Sequence, residues 1–295
     1  MDTRIVRGKP IAAGVIEETG RRAAALAGRG VEPSLAVLRV GDDPASAIYA
    51  ASIERAGGGA GIAVETVTLP AGVETAEVAG AIADLAGDPR THGIIVQQPL
   101  PRGVDPSVVD CVPPGKDVDC AAASSLGLLA RGAEAFAPCT ALAVVEMLAA
   151  AGVTIAGAHV VIVGRSAVVG RPLALLLLRK GERGNATVTV CHTATPDLAR
   201  HTLSADILVA AMGRPEAIRG SMVREGAVVV DVGVNRVVDP ATERGYRVVG
   251  DVALQEVLGR AAVATPVPGG VGALTTALLL RGVVSAAEAG GERGG

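Results

Sequence analysis

The stretch His159-Val-Val-Ile-Val-Gly-Arg-Ser-Ala-Val-Val-Gly-Arg-Pro172 decides the fold of this chain. Its first five residues form an apolar run rich in β-branched side chains, which is typical of a strand buried on both faces in a parallel sheet. Gly164 and Gly170 bracket the turn that follows and permit a tight path or a close approach of backbone to a ligand. A helix over 172–180 is predicted next, and Pro172 suits its first turn, where the missing N–H costs nothing.

This succession of strand, turn and helix is typical of a site that binds an anion at the turn. Unpaired N–H groups and the positive end of the helix dipole face the turn and attract a phosphate group. The spacing Gly164-x-Ser166-x-x-x-Gly170 differs from the common GxGxxG pattern of dinucleotide sites. An ordinary strand-to-helix turn is therefore the alternative to a dinucleotide site.

The next strand, 186–190, bears on the choice of cofactor. An NAD enzyme usually carries Asp or Glu at the end of this strand, against the ribose 2′-hydroxyl. Here the strand runs into Cys191-His192-Thr193, and no acid occurs before Asp197. Arg165 lies in the phosphate turn, where a guanidinium can pair with a 2′-phosphate through two hydrogen bonds. The combination favours NADP over NAD; the alternative for Arg165 is a solvated loop cation.

Alternating helices and strands predict an α/β fold. In the first half, helices are expected at 10–27, 44–56 and 74–86, and strands at 34–40, 64–69 and 92–96. In the second half, strands at 206–210 and 227–231 follow the two already described. Such alternation is typical of parallel sheets, and the second half fits a Rossmann-type doubly wound sheet.

Two domains are expected, because 295 residues exceed what one hydrophobic core usually serves. The proline-rich stretch 99–138 interrupts regular structure, and a helix over 139–151 leads into the second domain. A last helix, at about 272–287, is expected to pack back on the first domain. The predicted domains are 1–138 completed by 272–287, a Rossmann-type domain over 139–271, and a flexible tail over 288–295.

Composition and charge argue against several other classes of protein. The formal net charge is −3 and no basic stripe is present, which argues against nucleic acid as a partner. The longest apolar runs are too short to span a membrane, and the N-terminus lacks the apolar core of a signal peptide. The four cysteines show no C-x-x-C spacing, so neither a zinc site nor a redox pair is indicated, and we expect no metal. Reduced thiols in the cytoplasm are the simplest interpretation.

Three polar residues of the first half are candidates for chemistry. Tyr49 lies one turn into the helix that follows the segment Gly41-Asp-Asp-Pro. Gln97 ends an apolar strand, where ligands of such sheets bind, and Asp119 lies in a proline-rich loop from which a carboxylate can point into a cleft. Each has a structural alternative. Tyr49 could be a half-buried core residue, Gln97 a loop amide, and Asp119 a turn former or helix cap.

The order of several segments along the chain resembles the bifunctional methylenetetrahydrofolate dehydrogenase/methenyltetrahydrofolate cyclohydrolase family, from near the N-terminus to about residue 281. The segments are VGDDPASAIY, IIVQQPLP, PGKDVDC, PCTALAVVEML, VVIVGRSAVVGRP, ADILVAAMG, VVVDVGVNR, GDV and TPVPGGVGALT. The resemblance implies a folate half made of the first domain and the last helix, an NADP half between them, and a cleft that holds both ligands. It also implies a homodimer formed through the cofactor domain, and a place in tetrahydrofolate interconversion for purine, methionine and histidine biosynthesis.

The resemblance also implies roles for single residues. Asp119 would bind the amine and ring N–H edge of a reduced pterin, Tyr49 would pack on the folate near its one-carbon bridge, and Gln97 would lie beside it. The segment 265–272 would form a backbone wall close to both ligands, a tight structural turn being the alternative. Its implied substrate-binding residues are Pro268, Gly269, Gly270 and Gly272. The implied cofactor-binding residues are Gly164, Arg165, Ser166, Gly170, Thr193 and Val234.

One departure from the family pattern matters for activity. The family places a lysine four residues after the tyrosine, on the same helix face, and here that position is Ile53. Glu54 and Arg55 point away from that face. We therefore predict an NADP-dependent methylenetetrahydrofolate dehydrogenase with weak or absent cyclohydrolase activity. The alternatives are a fully bifunctional enzyme, a different NADP oxidoreductase, and a family member that binds folate and NADP without catalysis.

Overall fold

The computed structural model describes residues 2–292, which divide into two compact units. The large-sheet unit contains residues 2–12 and Thr140–Thr275, and the small-sheet unit contains Ala13–Cys139 and 276–292. The first residues thus group with residues 140–275, whereas the sequence predicts them in the first domain. The reason is that Arg4 and Ile5 form a short strand that extends the large sheet.

The helices and strands of the described residues are as follows. The helices are α1 Gly8–Ala27, α2 Pro44–Gly59, α3 Thr75–Gly87, α4 Ala123–Ala130, α5 Cys139–Ala150, α6 Gly170–Leu178, α7 Leu198–Thr202, α8 Leu254–Val257 and α9 Thr275–Glu292. The strands are β1 Arg4–Ile5, β2 Ser34–Val40, β3 Ala63–Leu69, β4 Gly93–Val96, β5 His159–Val163, β6 Thr187–Cys191, β7 Ile207–Ala210, β8 Val228–Asp231, β9 Asn235–Val238, β10 Tyr246–Val249 and β11 Val263–Ala264.

The small-sheet unit is built on three parallel strands in the order β3-β2-β4. Helix α2 begins where predicted, because the Asp43 side chain accepts a hydrogen bond from the Ser46 N–H at 2.7 Å and Pro44 fits the first turn. Helix α9 packs closely on β4: a Cβ added to Gly93 would lie 3.0 Å from the side chain of Val283. The last helix therefore belongs to the core of this unit.

The large-sheet unit contains six parallel strands in the order β1-β11-β8-β7-β5-β6. Strand β5 has the predicted bounds, four of its five residues are buried, and it pairs with β6 on one side and β7 on the other. The parallel arrangement brings the carboxyl ends of β5, β6, β7 and β8 to one edge. The predicted fold class, a two-domain α/β protein with a Rossmann-type sheet, is confirmed. An antiparallel hairpin, β9 with β10, was not predicted.

The end of the chain differs from the prediction. Helix α9 continues to Glu292, so residues 288–292 of the predicted flexible tail are helical, while residues 293–295 lie outside the described part. The Arg22 guanidinium of α1 donates hydrogen bonds to the Glu288 carboxylate at 2.5 and 3.0 Å and to the Ser285 hydroxyl at 2.8 Å. These contacts hold the last turns of α9 on α1.

Residues 2–292 contain neither a membrane-spanning helix nor a cluster of metal-binding side chains. No helix there combines the length and apolar character needed to cross a membrane. No group of three or more His, Cys, Asp or Glu side chains in the same residues is arranged to hold a metal ion.

Candidate functional site

The turn after β5 is shaped by its two glycines. Gly164 has a φ of 137°, and a Cβ there would lie 2.0 Å from the carbonyl oxygen of Ala211. A Cβ on Gly170 would lie 2.1 Å from the carbonyl oxygen of Gly164. Both positions therefore require glycine for the packing of the turn against the protein's own backbone. The Ser166 hydroxyl accepts a hydrogen bond from the Val169 N–H at 3.1 Å, which closes the turn before α6.

A cavity of about 300 Å³ opens beside this turn, at the carboxyl ends of β5, β6 and β7. We call it the basic cavity, and its lining residues are Val163, Gly164, Arg165, Ser166, His192, Thr193, Thr195, Leu198, Ala211, Met212 and Arg214. It brings together four of the predicted cofactor-binding residues. Gly164, Arg165 and Ser166 lie in the loop after β5, and Thr193 lies in the loop after β6. Of the other two, Gly170 starts α6, and Val234 lies 68 % exposed beyond β8; neither lines the cavity.

The charge of the basic cavity has one sign. Its described lining contains no Asp or Glu, whereas Arg165 and Arg214 both belong to it. Both side chains are exposed, and within residues 2–292 neither guanidinium forms an ion pair or a hydrogen bond. A cavity of this kind attracts an anion.

One wall of the cavity is held by a buried carboxylate that sequence reasoning missed. Asp251 is 0 % exposed, and its Oδ2 accepts hydrogen bonds from the Met212 N–H at 2.6 Å and the Gly213 N–H at 2.9 Å. Its Oδ1 accepts from the Arg214 N–H at 2.9 Å and from the Asn235 side chain at 2.8 Å. The loop after β7 is thus fixed by three consecutive N–H groups on one carboxylate.

A second buried carboxylate supports the first. Asp231, 3 % exposed, ends β8 and accepts hydrogen bonds from the N–H groups of Gly233, Asp251 and Val252 at 2.9–3.0 Å. Burial raises the pKa of the Asp231 carboxyl to about 6, although these three bonds oppose the shift. The sequence signal for Asp231 is an acid at the last position of a predicted apolar strand.

In the small-sheet unit, the structure brings Tyr49 and Asp119 into the same environment. Tyr49 is 42 % exposed on α2. Desolvation raises the pKa of Tyr49 to about 12, and the nearby charge of Asp119 adds to the shift. The phenol is therefore neutral near pH 7 and acts as a polar contact rather than as a base.

Among residues 2–292, one backbone N–H donates a hydrogen bond to the Asp119 carboxylate. The Cys139 N–H at the start of α5 donates to its Oδ1 at 3.0 Å. Asp119 keeps an exposed surface, yet desolvation by the surrounding protein raises the pKa of its carboxyl. Desolvation also raises the pKa of the Cys139 thiol, which stays protonated. The carboxyl group is consequently available to a ligand that offers hydrogen-bond donors.

Gln97 follows β4 and is 8 % exposed. Its backbone N–H donates to the Leu38 carbonyl at 2.9 Å, which fixes the residue at the end of the sheet. The side-chain amide has no hydrogen-bond partner among residues 2–292, at either the oxygen or the nitrogen. Since leaving both groups of a buried amide unpaired is costly, this amide is the kind of group that a bound ligand satisfies.

Ile53 occupies the position where the family resemblance implies a lysine. It lies one turn after Tyr49 on α2, and its side chain is 0 % exposed. It shares the buried face of α2 with Ala50 and Gly57. The neighbouring Arg55 is exposed, as the helix geometry predicts for a residue on another face.

The segment after β11 contains the predicted wall residues. The Gly8 N–H donates to the Gly269 carbonyl at 2.8 Å, and a Cβ on Gly270 would lie 2.5 Å from the carbonyl oxygen of Pro266. The turn itself therefore explains Gly270. A Cβ on Gly272 would meet no atom within 4 Å, and both Gly272 and Pro268 are exposed, so these two residues are free to face a ligand.

The fold and these sites define a two-domain α/β protein with a Rossmann-type unit for an anionic cofactor. Comparison with known proteins gives the family. Residues 138–290 match the tetrahydrofolate dehydrogenase/cyclohydrolase NAD(P)-binding domain, and residues 6–119 match the catalytic domain of the same family. The chain belongs to the tetrahydrofolate dehydrogenase/cyclohydrolase family.

Individual relatives agree with this assignment over nearly the whole chain. The bifunctional protein FolD of Azoarcus sp. (strain BH72) is 46 % identical over 98 % of this chain and 97 % of the relative. A crystal structure of the bifunctional FolD enzyme from Campylobacter jejuni matches with a TM-score of 0.91 and 39 % identity, covering 97 % of this chain and 99 % of the other. The Trypanosoma brucei FolD structure, complexed with NADP cofactor and inhibitor, matches with a TM-score of 0.89 and 36 % identity, covering 98 % of each chain.

Proposed function

We propose that this protein is an NADP-dependent methylenetetrahydrofolate dehydrogenase whose cyclohydrolase activity is weak or absent. The observation that supports NADP as the cofactor is the basic cavity. Its described lining includes Arg165 and Thr193 and contains no acidic residue. The family membership supports the substrate, since the relatives are bifunctional dehydrogenase/cyclohydrolase proteins and one related structure contains NADP.

The residues present fit NADP. The turn from Gly164 to Gly170 leads into α6, whose first N–H groups favour a phosphate. The loop after β6 is where dinucleotide enzymes distinguish a 2′-hydroxyl from a 2′-phosphate, and it offers Thr193 instead of a carboxylate. Arg165 supplies the positive charge that a 2′-phosphate requires and a 2′-hydroxyl does not.

The residues of the small-sheet unit fit a reduced folate. The pterin presents an amine and a ring N–H side by side, and the Asp119 carboxyl accepts two hydrogen bonds from them. Tyr49 adds an aromatic face and a neutral hydroxyl, and Gln97 offers an unpaired amide.

Dehydrogenation asks little proton transfer of the protein. The nitrogens that flank the methylene carbon supply electrons as a hydride leaves it, and a methenyl cation results. Bound NADP supplies the nicotinamide that accepts this hydride. The protein contributes alignment and exclusion of water, which the contacts of Asp119 and Tyr49 provide on the folate side.

Cyclohydrolysis makes a different demand. Water must add to the methenyl carbon and lose a proton, and a positioned acid–base group accelerates such a step by about 10²–10⁴. Ile53 neither donates, accepts nor titrates, and its burial leaves no exposed surface for a contact with water. We therefore propose that dehydrogenation survives in this chain and that cyclohydrolysis is lost or strongly reduced.

One assay tests the proposal. The purified protein is mixed with methylenetetrahydrofolate and NADP, and NADPH and methenyltetrahydrofolate are followed separately against a buffer blank. Formation of both in parallel supports a dehydrogenase without cyclohydrolase. NADPH formation without methenyltetrahydrofolate accumulation would show a fully bifunctional enzyme. Binding of both ligands without turnover would show a non-catalytic member, and no interaction with the folate would indicate a different oxidoreductase.

We further propose a homodimer formed through the large-sheet unit, in line with the family resemblance. Light scattering coupled to size-exclusion chromatography tests this, and a monomer mass at assay concentrations would contradict it.

A further inference from the structure

We infer that Arg214 is a second determinant of NADP preference, binding the 2′-phosphate together with Arg165. This inference rests on the proposed use of NADP and names a residue that the sequence analysis did not select. Arg214 follows β7 and lines the basic cavity with Arg165, although 49 positions separate them in sequence. The two residues reach the cavity from different strands.

The position of the cavity favours this assignment. Arg165 follows β5, His192 and Thr193 follow β6, and Arg214 comes from the loop after β7, and all four line one cavity. The end of β6 is where such sheets read the 2′ position of the adenosine ribose. A phosphate near Thr193 would therefore have one guanidinium available from the loop after the adjacent strand β5. A second comes from the loop after β7, which lies on the other side of β5 and lines the same cavity.

The charges agree with a dianionic group. A ribose 2′-phosphate is a phosphate monoester with about 1.5–2 negative charges near pH 7, and one arginine neutralises only part of this. The described lining provides a second guanidinium and no competing carboxylate. Neither arginine has an ion-pair partner among residues 2–292, so neither must be released from the protein before it binds phosphate.

The backbone of Arg214 is also fixed in advance. Asp251 is fully buried and accepts hydrogen bonds from the N–H groups of Met212, Gly213 and Arg214. An exposed arginine on a free loop would lose backbone entropy on binding, whereas here only the side chain has to be ordered. Asp251 is thus a positioning residue for Arg214. The apolar Leu198 and Met212 in the same lining suit the adenine ring.

The alternative roles of Arg214 lead to a different result. A guanidinium that stacks on adenine or binds the 5′-phosphate would serve NAD and NADP equally. The test therefore compares two nucleotides that differ only in the 2′-phosphate, adenosine 2′,5′-bisphosphate and 5′-AMP. Their affinities are measured by calorimetry for the whole protein, without folate and without turnover.

The variants are Arg214→Ala, Arg165→Ala, the double variant and Arg179→Ala. Arg179 is an exposed arginine at the C-terminal end of α6, outside the lining of the basic cavity, and serves as the control. We expect Arg214→Ala to weaken adenosine 2′,5′-bisphosphate about tenfold and 5′-AMP less than twofold, as for loss of a charge-assisted hydrogen bond. Arg214→Lys should restore part of the loss, and Arg179→Ala should change neither affinity.

Three outcomes would overturn the inference or its basis. Equal weakening of both nucleotides would place Arg214 on a group that NAD shares, and an unchanged preference would remove it from the site. A wild-type protein that binds both nucleotides equally would instead refute the proposed use of NADP itself. Thermal unfolding of each variant shows whether the fold is intact. If Arg214→Ala lowers the unfolding midpoint, the affinities of Arg214→Lys show whether the loss of binding comes from the missing charge or from the loss of stability.

Discussion

The two units present their polar groups in opposite ways. In the large-sheet unit, the buried carboxylates of Asp231 and Asp251 are saturated by backbone N–H groups, and the charges that face the cavity are exposed arginines. In the small-sheet unit, the Gln97 amide is buried without a partner, and desolvation raises the pKa of Asp119. The large-sheet unit thus presents exposed positive charge on loops that are fixed by hydrogen bonds, whereas the small-sheet unit contains a buried amide without a hydrogen-bond partner among residues 2–292.

This difference has an energetic consequence. An exposed guanidinium is hydrated before it binds, so each phosphate contact replaces water and yields a modest net gain. A buried amide such as that of Gln97 has already lost much of its water, so the hydrogen bonds of a ligand there are worth more. Substitutions in the small-sheet unit should therefore have larger effects on ligand binding and turnover than substitutions in the basic cavity.

The largest effect is expected at Ile53, where the small-sheet site has no cation. Replacement by lysine places an ammonium group one turn after Tyr49, and we expect Ile53→Lys to raise the rate of methenyltetrahydrofolate hydrolysis by about 10²–10⁴. Because Ile53 is fully buried, the variant should also be less stable. The measurement is the coupled assay, with hydrolysis recorded relative to NADPH formation.

Ile53→Met is the matched control, since it changes the packing and provides a long side chain without charge. It should leave hydrolysis at the wild-type level. If the wild type already hydrolyses methenyltetrahydrofolate as fast as NADPH forms, the missing lysine is no obstacle and the predicted separation of the two activities is wrong.

The next effect concerns Asp119. Asp119→Ala would leave the donors of the pterin edge unpaired in a desolvated site, and we expect a loss of roughly 3 kcal/mol in folate binding, or more than a hundredfold. Binding of adenosine 2′,5′-bisphosphate should not change. Titration calorimetry with both ligands separates the two results, and unchanged folate affinity would leave Asp119 with only its hydrogen bond to the Cys139 N–H.

How much of these regions the sequence predicts depends on how far apart in the chain the contacting residues lie. Strand β5 and the turn at Gly164 follow from neighbouring residues, because apolar runs and glycines act locally. The main chain of Arg214 is held by Asp251, 37 positions away, and the end of α9 by a contact between residues 266 positions apart. Such partners cannot be found from local patterns.

The missed cavity residues had a weak signal nevertheless. Arg214 comes shortly after a strand that the sequence predicts, and ligands bind beyond the carboxyl ends of parallel strands. That rule selects the loop but not the side chain in it. Asp251 has no comparable local signal, although it lies in the GDV segment that carries the family resemblance. Three of its partners are backbone N–H groups, which every residue except proline carries, and the fourth is the side chain of Asn235, 16 positions away.

A third prediction concerns the protonation of Asp231, the buried carboxyl group at the end of β8 in the large-sheet unit. Because the pKa of Asp231 is raised from 3.8 to about 6, the folded protein holds a proton there that the unfolded chain has lost between about pH 4 and 6. Stability from this group therefore falls as pH rises through that window, by about 2 kcal/mol. Asp231→Asn lacks this titration, so the stability of the wild type relative to the variant should decrease with rising pH in urea unfolding.

Asp206 provides a control of opposite sign. The His159 N–H lowers the pKa of the Asp206 carboxyl, and Arg224 adds to the shift. Its contribution to stability is therefore present at neutral pH and is lost as pH falls through the lowered pKa. The stability of the wild type relative to Asp206→Asn should increase with rising pH. A difference between wild type and Asp231→Asn that is constant with pH would show that the pKa of Asp231 is the same in the folded and unfolded states, so that the three N–H groups fully offset its burial.

The smallest effect is expected at Arg165, and it tests the hydrated side of the comparison directly. Arg165 is exposed, so its contact with a 2′-phosphate replaces bound water and is screened by salt. We expect Arg165→Ala to lower kcat/KM with NADP about tenfold while kcat/KM with NAD stays within twofold, because only NADP carries the group that the guanidinium binds.

The preference for NADP over NAD should also weaken as ionic strength increases, since the guanidinium and the phosphate attract each other across solvent. Steady-state rates with both cofactors at low and high salt provide the measurement, and Arg179→Ala is again the control. If the wild type used NAD as well as NADP, or if Arg165→Ala slowed both cofactors equally, the exposed charges of the basic cavity would serve the dinucleotide in general, and the difference between the two units would not extend to cofactor choice.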